Sequence, residues 1–184
     1  AYHMANLVLR DVEGIEVLTE YERIVFLCAA LLHDIGHGPY SHAFEMVLST
    51  THEEMTEKII LCPSTDVYQI LNQVKGLPED VAGVIGHRGK YPLLESIVSS
   101  QLDVDRMDYL SRDAYFTGVA YGKIDMQRLL RSMKIVDNKV LCRASGVHTL
   151  ESYLMSRYHL YLQVYYHAVS RAYELLLESM YERI

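Results

Sequence analysis

The stretch Ile24-Val25-Phe26-Leu27-Cys28-Ala29-Ala30-Leu31-Leu32-His33-Asp34-Ile35-Gly36-His37-Gly38-Pro39-Tyr40-Ser41-His42 governs how the rest of the chain is read. Its opening run, Ile24 to Leu32, is the longest uninterrupted apolar run in the chain. That suits a buried helix and falls far short of the about 20 residues a membrane span needs. The apolar density predicts a helix over Tyr21 to Leu32, broken by Gly36, Gly38 and Pro39. At its end stand His33 and Asp34, where an ionised carboxylate and an imidazole are costly unless paired or bound to a metal. Imidazole nitrogen and carboxylate oxygen are ligand types for Mn, Fe, Zn or Ni. A lone His-Asp dipeptide more often caps a helix and bonds to nearby backbone. Here, however, four of the nine histidines (His33, His37, His42 and His52) fall within 20 residues. The glycines among them let backbone approach a ligand, so the stretch reads as a site.

Helical signals dominate outward from this point. Thr51 followed by Glu54 is a Thr-x-x-Glu capping box, which predicts a helix from His52 toward Leu61 before Pro63. Asp66 to Lys75 reads as a further helix with Gly76 and Pro78 as stops, and a short helix follows Pro78. After a break at Gly86 to Gly89, Pro92 to Phe116 reads as one long helix ending at Gly118. The strand signal lies in Lys134 to Arg143, where Asp137-Asn138 is a turn-favouring pair between two apolar pairs. The last element is predicted from about Val147 to the C-terminus. The expectation is a mostly α fold, one compact domain over residues 1–184 with one short β-hairpin. The chain opens on Ala1 directly into apolar patterning and closes on Tyr181-Glu182-Arg183-Ile184 in helical register, which suggests a segment of a longer protein.

Composition narrows the function classes. With 184 residues and half of them apolar, the chain can bury a core and is not a disordered segment. Seventeen Lys and Arg against 24 Asp and Glu give a net charge of −7. An acidic chain is poorly suited to broad phosphate-backbone binding, so nucleic acid is not an expected partner. A small phosphorylated ligand remains compatible, because it needs only a few local cations or a metal. Three cysteines without a CxxC pair point to a reducing compartment, read as the cytoplasm.

The HDxGHGPxSH pattern from His33 to His42 resembles the HD-superfamily phosphohydrolases, in particular the branch of deoxynucleoside triphosphate triphosphohydrolases. Asp103-Val104-Asp105-Arg106-Met107-Asp108-Tyr109-Leu110-Ser111-Arg112-Asp113 is similar to a second motif of that branch, DVDxxDYxxRD. Thr51-His52-Glu53 is a weaker match, and Arg157 followed by Tyr165-Tyr166-His167 resembles a late Arg and Tyr-x-His. The resemblance implies an HD-domain helical core and one divalent ion (Mn, Fe, Zn, Ni or Mg) held by His33, Asp34 and Asp105. It also implies a fourth ligand, an upstream His in a His-Ser-Leu-Gly motif, which this chain lacks; His3 is a poor substitute. We read that departure as truncation.

In the same family His37, His42 and His52 correspond to histidines that contact phosphates and assist proton transfer, with Glu45 orienting one of them. Imidazoles titrate near neutrality, as acid–base work requires. Asp105, Tyr109 and Asp113 are spaced i, i+4, i+8 and share a helix face, where a solvated face of Asp–Arg pairs is the plainer reading. The sharper reading is that this face offers Tyr109 and Asp113 to the nucleoside, with Arg106 beside it for a phosphate. The resemblance implies that Tyr165 contacts the nucleoside and Arg157 the triphosphate. A tyrosine stripe in a chain with 15 tyrosines is also compatible with core or interface. Ala168 stands where the family has Lys, and His87, His148 and His159 match no motif. The basic run Lys123, Arg128, Arg131, Lys134, Lys139 and Arg143 reads as a solvated surface, or as one for a nucleotide effector or an oligomer partner. The implied activity is hydrolysis of a deoxynucleoside triphosphate to deoxynucleoside and triphosphate, by a homo-oligomer. Two alternatives stand beside it: action on another nucleotide, and a catalytically silent regulatory module.

Overall fold

The computed structural model describes residues 1–42, Glu45, residues 50–181 and Arg183. Its helices are α1 (Tyr2–Asp11), α2 (Glu20–Leu32), α3 (His52–Leu61), α4 (Asp66–Leu71), α5 (Leu77–Ile85), α6 (Pro92–Val98), α7 (Val104–Thr117), α8 (Met126–Ser132), α9 (Val147–Leu160) and α10 (Ala168–Tyr181). Strands β1 (Met133–Val136) and β2 (Lys139–Cys142) form an antiparallel hairpin between α8 and α9. The fold is therefore mostly α with one short hairpin, as the sequence leads one to expect. Among the described residues, no helix is long and apolar enough to cross a membrane.

Helix α2 lies at the centre, packed against α1, α5 and α6. Val25, Phe26 and Ala29 are fully buried, whereas Leu31 is 59% exposed, so the apolar run feeds one buried stripe rather than a helix buried all round. Thr19 starts this helix with a reciprocal capping box, accepting from the Glu22 amide while Glu22 accepts from the Thr19 amide. Along α5, Val81, Ala82 and Val84 are fully buried between α2 and α3. The hairpin turn at Asp137 and Asn138 has φ of 50° and 57°, the positive pair a type I′ turn requires.

Three expected elements are cut shorter. Helix α4 stops at Leu71, with Asn72 as its C-cap, and does not reach Lys75. The expected helix over Pro92 to Phe116 is two helices, broken at residues 99–103. There Asp103 accepts hydrogen bonds from the amides of Ser100 (2.6 Å) and Arg106 (2.7 Å), which ends one helix and starts the next. The C-terminal element breaks at a π-helical turn, Tyr161–Tyr165, whose closing bond runs from the Tyr166 amide to the Tyr161 carbonyl (2.8 Å). The helical register read for residues 182 and 184 lies outside the described residues.

Helix α3 sits against the turn after α2 through one buried hydroxyl. Thr56 Oγ1 donates to the His33 carbonyl (3.0 Å) and accepts from the Gly36 amide (2.9 Å). A Cβ at position 36 would meet the His52 carbonyl at 2.2 Å and the Thr56 amide nitrogen at 2.4 Å, so only glycine fits. Replacing Thr56 by Val leaves a buried carbonyl and a buried amide unpaired. Chemical denaturation should show a loss of about 1–3 kcal/mol for Thr56→Val and a much smaller one for Thr56→Ser, which keeps the hydroxyl.

Candidate active site

The end of α2 delivers His33 and Asp34, the start of α3 delivers His52, and the first turn of α7 delivers Asp105. His33 Nε2 lies 3.3 Å from Asp34 Oδ2 and 3.3 Å from Asp105 Oδ1. Its Nδ1 faces the Ala30 carbonyl at 3.2 Å, so the ring donates there and leaves Nε2 with a lone pair aimed at the two carboxylates. That Nε2 is buried and, among the described residues, has no hydrogen-bond partner. Neighbouring ligand atoms about 3 Å apart are what bond lengths of about 2.1 Å at right angles produce. The orphaned nitrogen, the fixed tautomer and the acid-rich setting all fit a divalent cation held by His33, Asp34 and Asp105. Burial opposes a charge on His33, yet Asp105 and Asp34 outweigh it and hold its pKa above the ordinary value. A cation in that position would replace the proton.

Beside this group lies a second one, His37, His42, Glu45 and His52, whose ligand-type atoms also lie within 4.8 Å of one another. Glu45 Oε1 accepts from His52 Nδ1 (2.8 Å), and Oε2 faces His42 Nδ1 (3.3 Å). The rings of His37 and His52 stack at 3.9 Å, and Asp34 Oδ1 lies 3.5 Å from His37 Nε2. Burial and the nearby His52 depress the His37 pKa, which keeps that ring neutral at pH 7. Glu45 is held below the usual carboxylate range by its histidines, against the opposing effect of burial.

Both groups open into one cleft of about 1380 Å³. Part of its lining is aromatic: Tyr109, Tyr161, Tyr165 and Tyr166 line it together with Asp113. The Tyr165 hydroxyl donates to Asp113 Oδ2 (2.6 Å), and burial together with that carboxylate pushes its pKa up, so it stays protonated. Burial does the same for Tyr109, beside Tyr161.

The structure brings His37, His42, Glu45, His52, Asp34, Asp105, Arg106, Tyr109, Asp113 and Tyr165 into this cleft, with His33 directly behind. Arg157 stands outside the lining, bonded to Gln101 (2.8 Å) and stacked on the Tyr161 ring. Arg106 reaches the lining, but its Nη1 is bonded to the Asp103 carboxylate and the Ser100 carbonyl. Arg112, Arg171, Glu53 and Tyr161 also line the cleft. For Arg112 the signal was available, since it falls in the same motif as Asp105. Tyr161 lies one turn from Arg157 and Tyr165. Arg171 sits on α10, whose placement depends on the break before it. His148 is exposed and paired with Glu151, and His159 packs against Tyr121 and Tyr158. Both stay outside the cleft lining.

Residues 2–113 match the HD domain, and residues 124–184 match the HD associated region. The chain belongs to the HD domain family. It is 47% identical to the uncharacterized protein YwfO of Bacillus subtilis, over 99% of this chain and 42% of that protein. A deoxynucleoside triphosphate triphosphohydrolase SAMHD1 homolog of Dictyostelium discoideum is 32% identical, over 89% of this chain and 34% of that protein. The crystal structure of a phosphohydrolase from Bacteroides thetaiotaomicron superposes with a TM-score of 0.84 at 29% identity, covering 99% of this chain and 44% of that one. The chain spans less than half the length of these relatives.

The two groups are separable by metal analysis. Elemental analysis after Mn²⁺ loading should find the ion lost from Asp105→Ala and retained in Glu45→Gln. Loss from Glu45→Gln with retention in Asp105→Ala would place the ion in the histidine cluster instead.

Proposed function

We propose that this HD domain is the core of a metal-dependent phosphohydrolase that cleaves deoxynucleoside triphosphates to deoxynucleoside and triphosphate. The observation that carries the reading is the shared cleft. A metal-ligand triad and a Glu45-anchored histidine cluster share it with Tyr109, Tyr161, Tyr165 and Tyr166. When bound by His33, Asp34 and Asp105, a divalent ion supplies Lewis acidity at a phosphoryl oxygen and makes water acidic enough to react near neutrality.

The chain's own residues do the rest. Tyr109 and Tyr165 offer ring faces and hydroxyls to the nucleoside, and Asp113 keeps Oδ1 as an acceptor for a sugar hydroxyl while Oδ2 holds Tyr165. Neutral His37 can take a proton from attacking water. Glu45 fixes the Nδ1–H of His52 and leaves its Nε2 facing Glu53 (3.3 Å) and, farther off, Asp34 (4.0 Å). Oxygen from water bonds to the α-phosphorus, the bond from phosphorus to the 5′ oxygen breaks, and an imidazole of the cluster protonates the departing 5′ oxygen. Arg106, Arg112 and Arg171 supply positive charge along the lining. A nucleotide effector and self-association remain part of this proposal for the whole protein.

A second reading has one observation in its favour. Arg157 lies outside the lining, and Arg106, Arg112 and Arg171 are already paired with Asp103, Asp108 and Glu174. That leaves less charge than a triphosphate attracts and favours a nucleotide with fewer phosphates.

Product analysis separates the two. Incubating the intact protein with each deoxynucleoside triphosphate and Mn²⁺ should yield deoxynucleoside and unbroken triphosphate in equal amounts. Release of mono- or diphosphate would exclude attack at the α-phosphorus. Tyr165→Phe removes the hydroxyl that positions Asp113, and steady-state kinetics should show KM raised about two- to tenfold with kcat nearly unchanged.

A further inference from the structure

The break between α6 and α7 is built around a buried charge. Asp103 is fully buried, whereas the carboxylates of Asp34 and Asp105 are partly exposed. Its two oxygens accept from the amides of Ser100 and Arg106, and the Arg106 guanidinium closes on the same carboxylate and on the Ser100 carbonyl. Residues 99–103 contain neither glycine nor proline, so no backbone restriction stops the helix there. A buried ion pair is a poor source of net stability, and its best-attested use is to specify register.

Register is what the metal triad requires of α7. Asp103 is the N-cap, which makes Asp105 the second residue of the helix and puts its carboxylate 3.3 Å from His33 Nε2. Sliding the register of the whole helix by one residue would turn Asp105 by about 100° around the axis and take its carboxylate away from His33. The anchored Asp103 cap opposes such a slip together with the buried face of Val104, Met107 and Leu110. From these contacts we infer that Asp103 is a positioning residue for the metal centre: with Arg106 it fixes where α7 begins and so aims Asp105 at His33. The inference rests on the metal reading of His33, Asp34 and Asp105, and not on the identity of the substrate.

The test compares two buried carboxylates. Asp80 on α5 is also buried and also fully bonded, to Tyr21, Lys90 and Tyr91, and belongs to neither ligand group. Mn²⁺ affinity is measured on the intact wild-type protein, Asp103→Asn and Asp80→Asn by titration followed by electron paramagnetic resonance. Thermal unfolding of the metal-free proteins is measured in parallel. Both variants should melt at lower temperature, but only Asp103→Asn should bind Mn²⁺ at least about tenfold more weakly, with an altered resonance. Asp103→Glu, which restores the charge, should recover part of the affinity. Wild-type affinity in Asp103→Asn, an equal loss in Asp80→Asn, or no Mn²⁺ uptake by the wild type would overturn the assignment. Failure of the nucleotide reading would appear separately, in the products formed by the wild-type protein.

Discussion

The close approach of α3 to the turn after α2 sets the geometry on which the rest of the cleft depends. Gly36 lets the two backbones meet, and the Thr56 hydroxyl then satisfies both polar groups that this contact removes from water. Because His52 opens α3 and His37 lies one residue past Gly36, the same contact stacks the two imidazoles. A side chain at position 36 would force α3 outward, and with it the ring that Glu45 holds. One small residue and one hydroxyl therefore place groups from two separate helices within bonding reach.

The charge arrangement follows from that closeness. Asp34 lies between the two groups, with Oδ2 toward His33 and Oδ1 toward His37. Burial first, and the stacked His52 ring beside it, push His37 toward the neutral form, while the carboxylates around His33 draw positive charge. Chemically alike residues thus acquire different tasks: one group is suited to hold a cation and the other to move protons. The division comes from what surrounds each ring and not from the residue type.

Breaks between helices matter as much as the helices. The break at Asp103 starts α7 where Asp105 can reach His33, and the π-helical turn at Tyr161–Tyr165 places two rings in the lining while Tyr165 bonds to Asp113. Each interruption exchanges some regular hydrogen bonding for the placement of a side chain, a trade common at functional sites.

By itself the sequence determined the features that depend on near neighbours. The apolar run followed by His33 and Asp34, the Thr51 cap of α3, the paired turn at Asp137 and Asn138, and the shared face of Asp105, Tyr109 and Asp113 are all set by spacings of a few residues. Periodicity and capping chemistry act at that range, and the HD motif is itself a short string. Tertiary structure decided what depends on residues far apart in the chain. The Thr56 bridge to Gly36 spans 20 positions, and the Tyr165 bond to Asp113 spans 52. Asp103 shows the boundary between the two. An Asp is an ordinary N-cap, but helical periodicity runs straight through residues 92–116, and only burial against the core makes its bonds to Ser100 and Arg106 worth breaking the helix. Arg157 marks the same boundary from the other side. Its spacing put it on the face of Tyr165, and the packing of α9 and the turn after it left its guanidinium on Gln101 and over the Tyr161 ring. Spacing states which residues share a face, but only packing decides what that face meets.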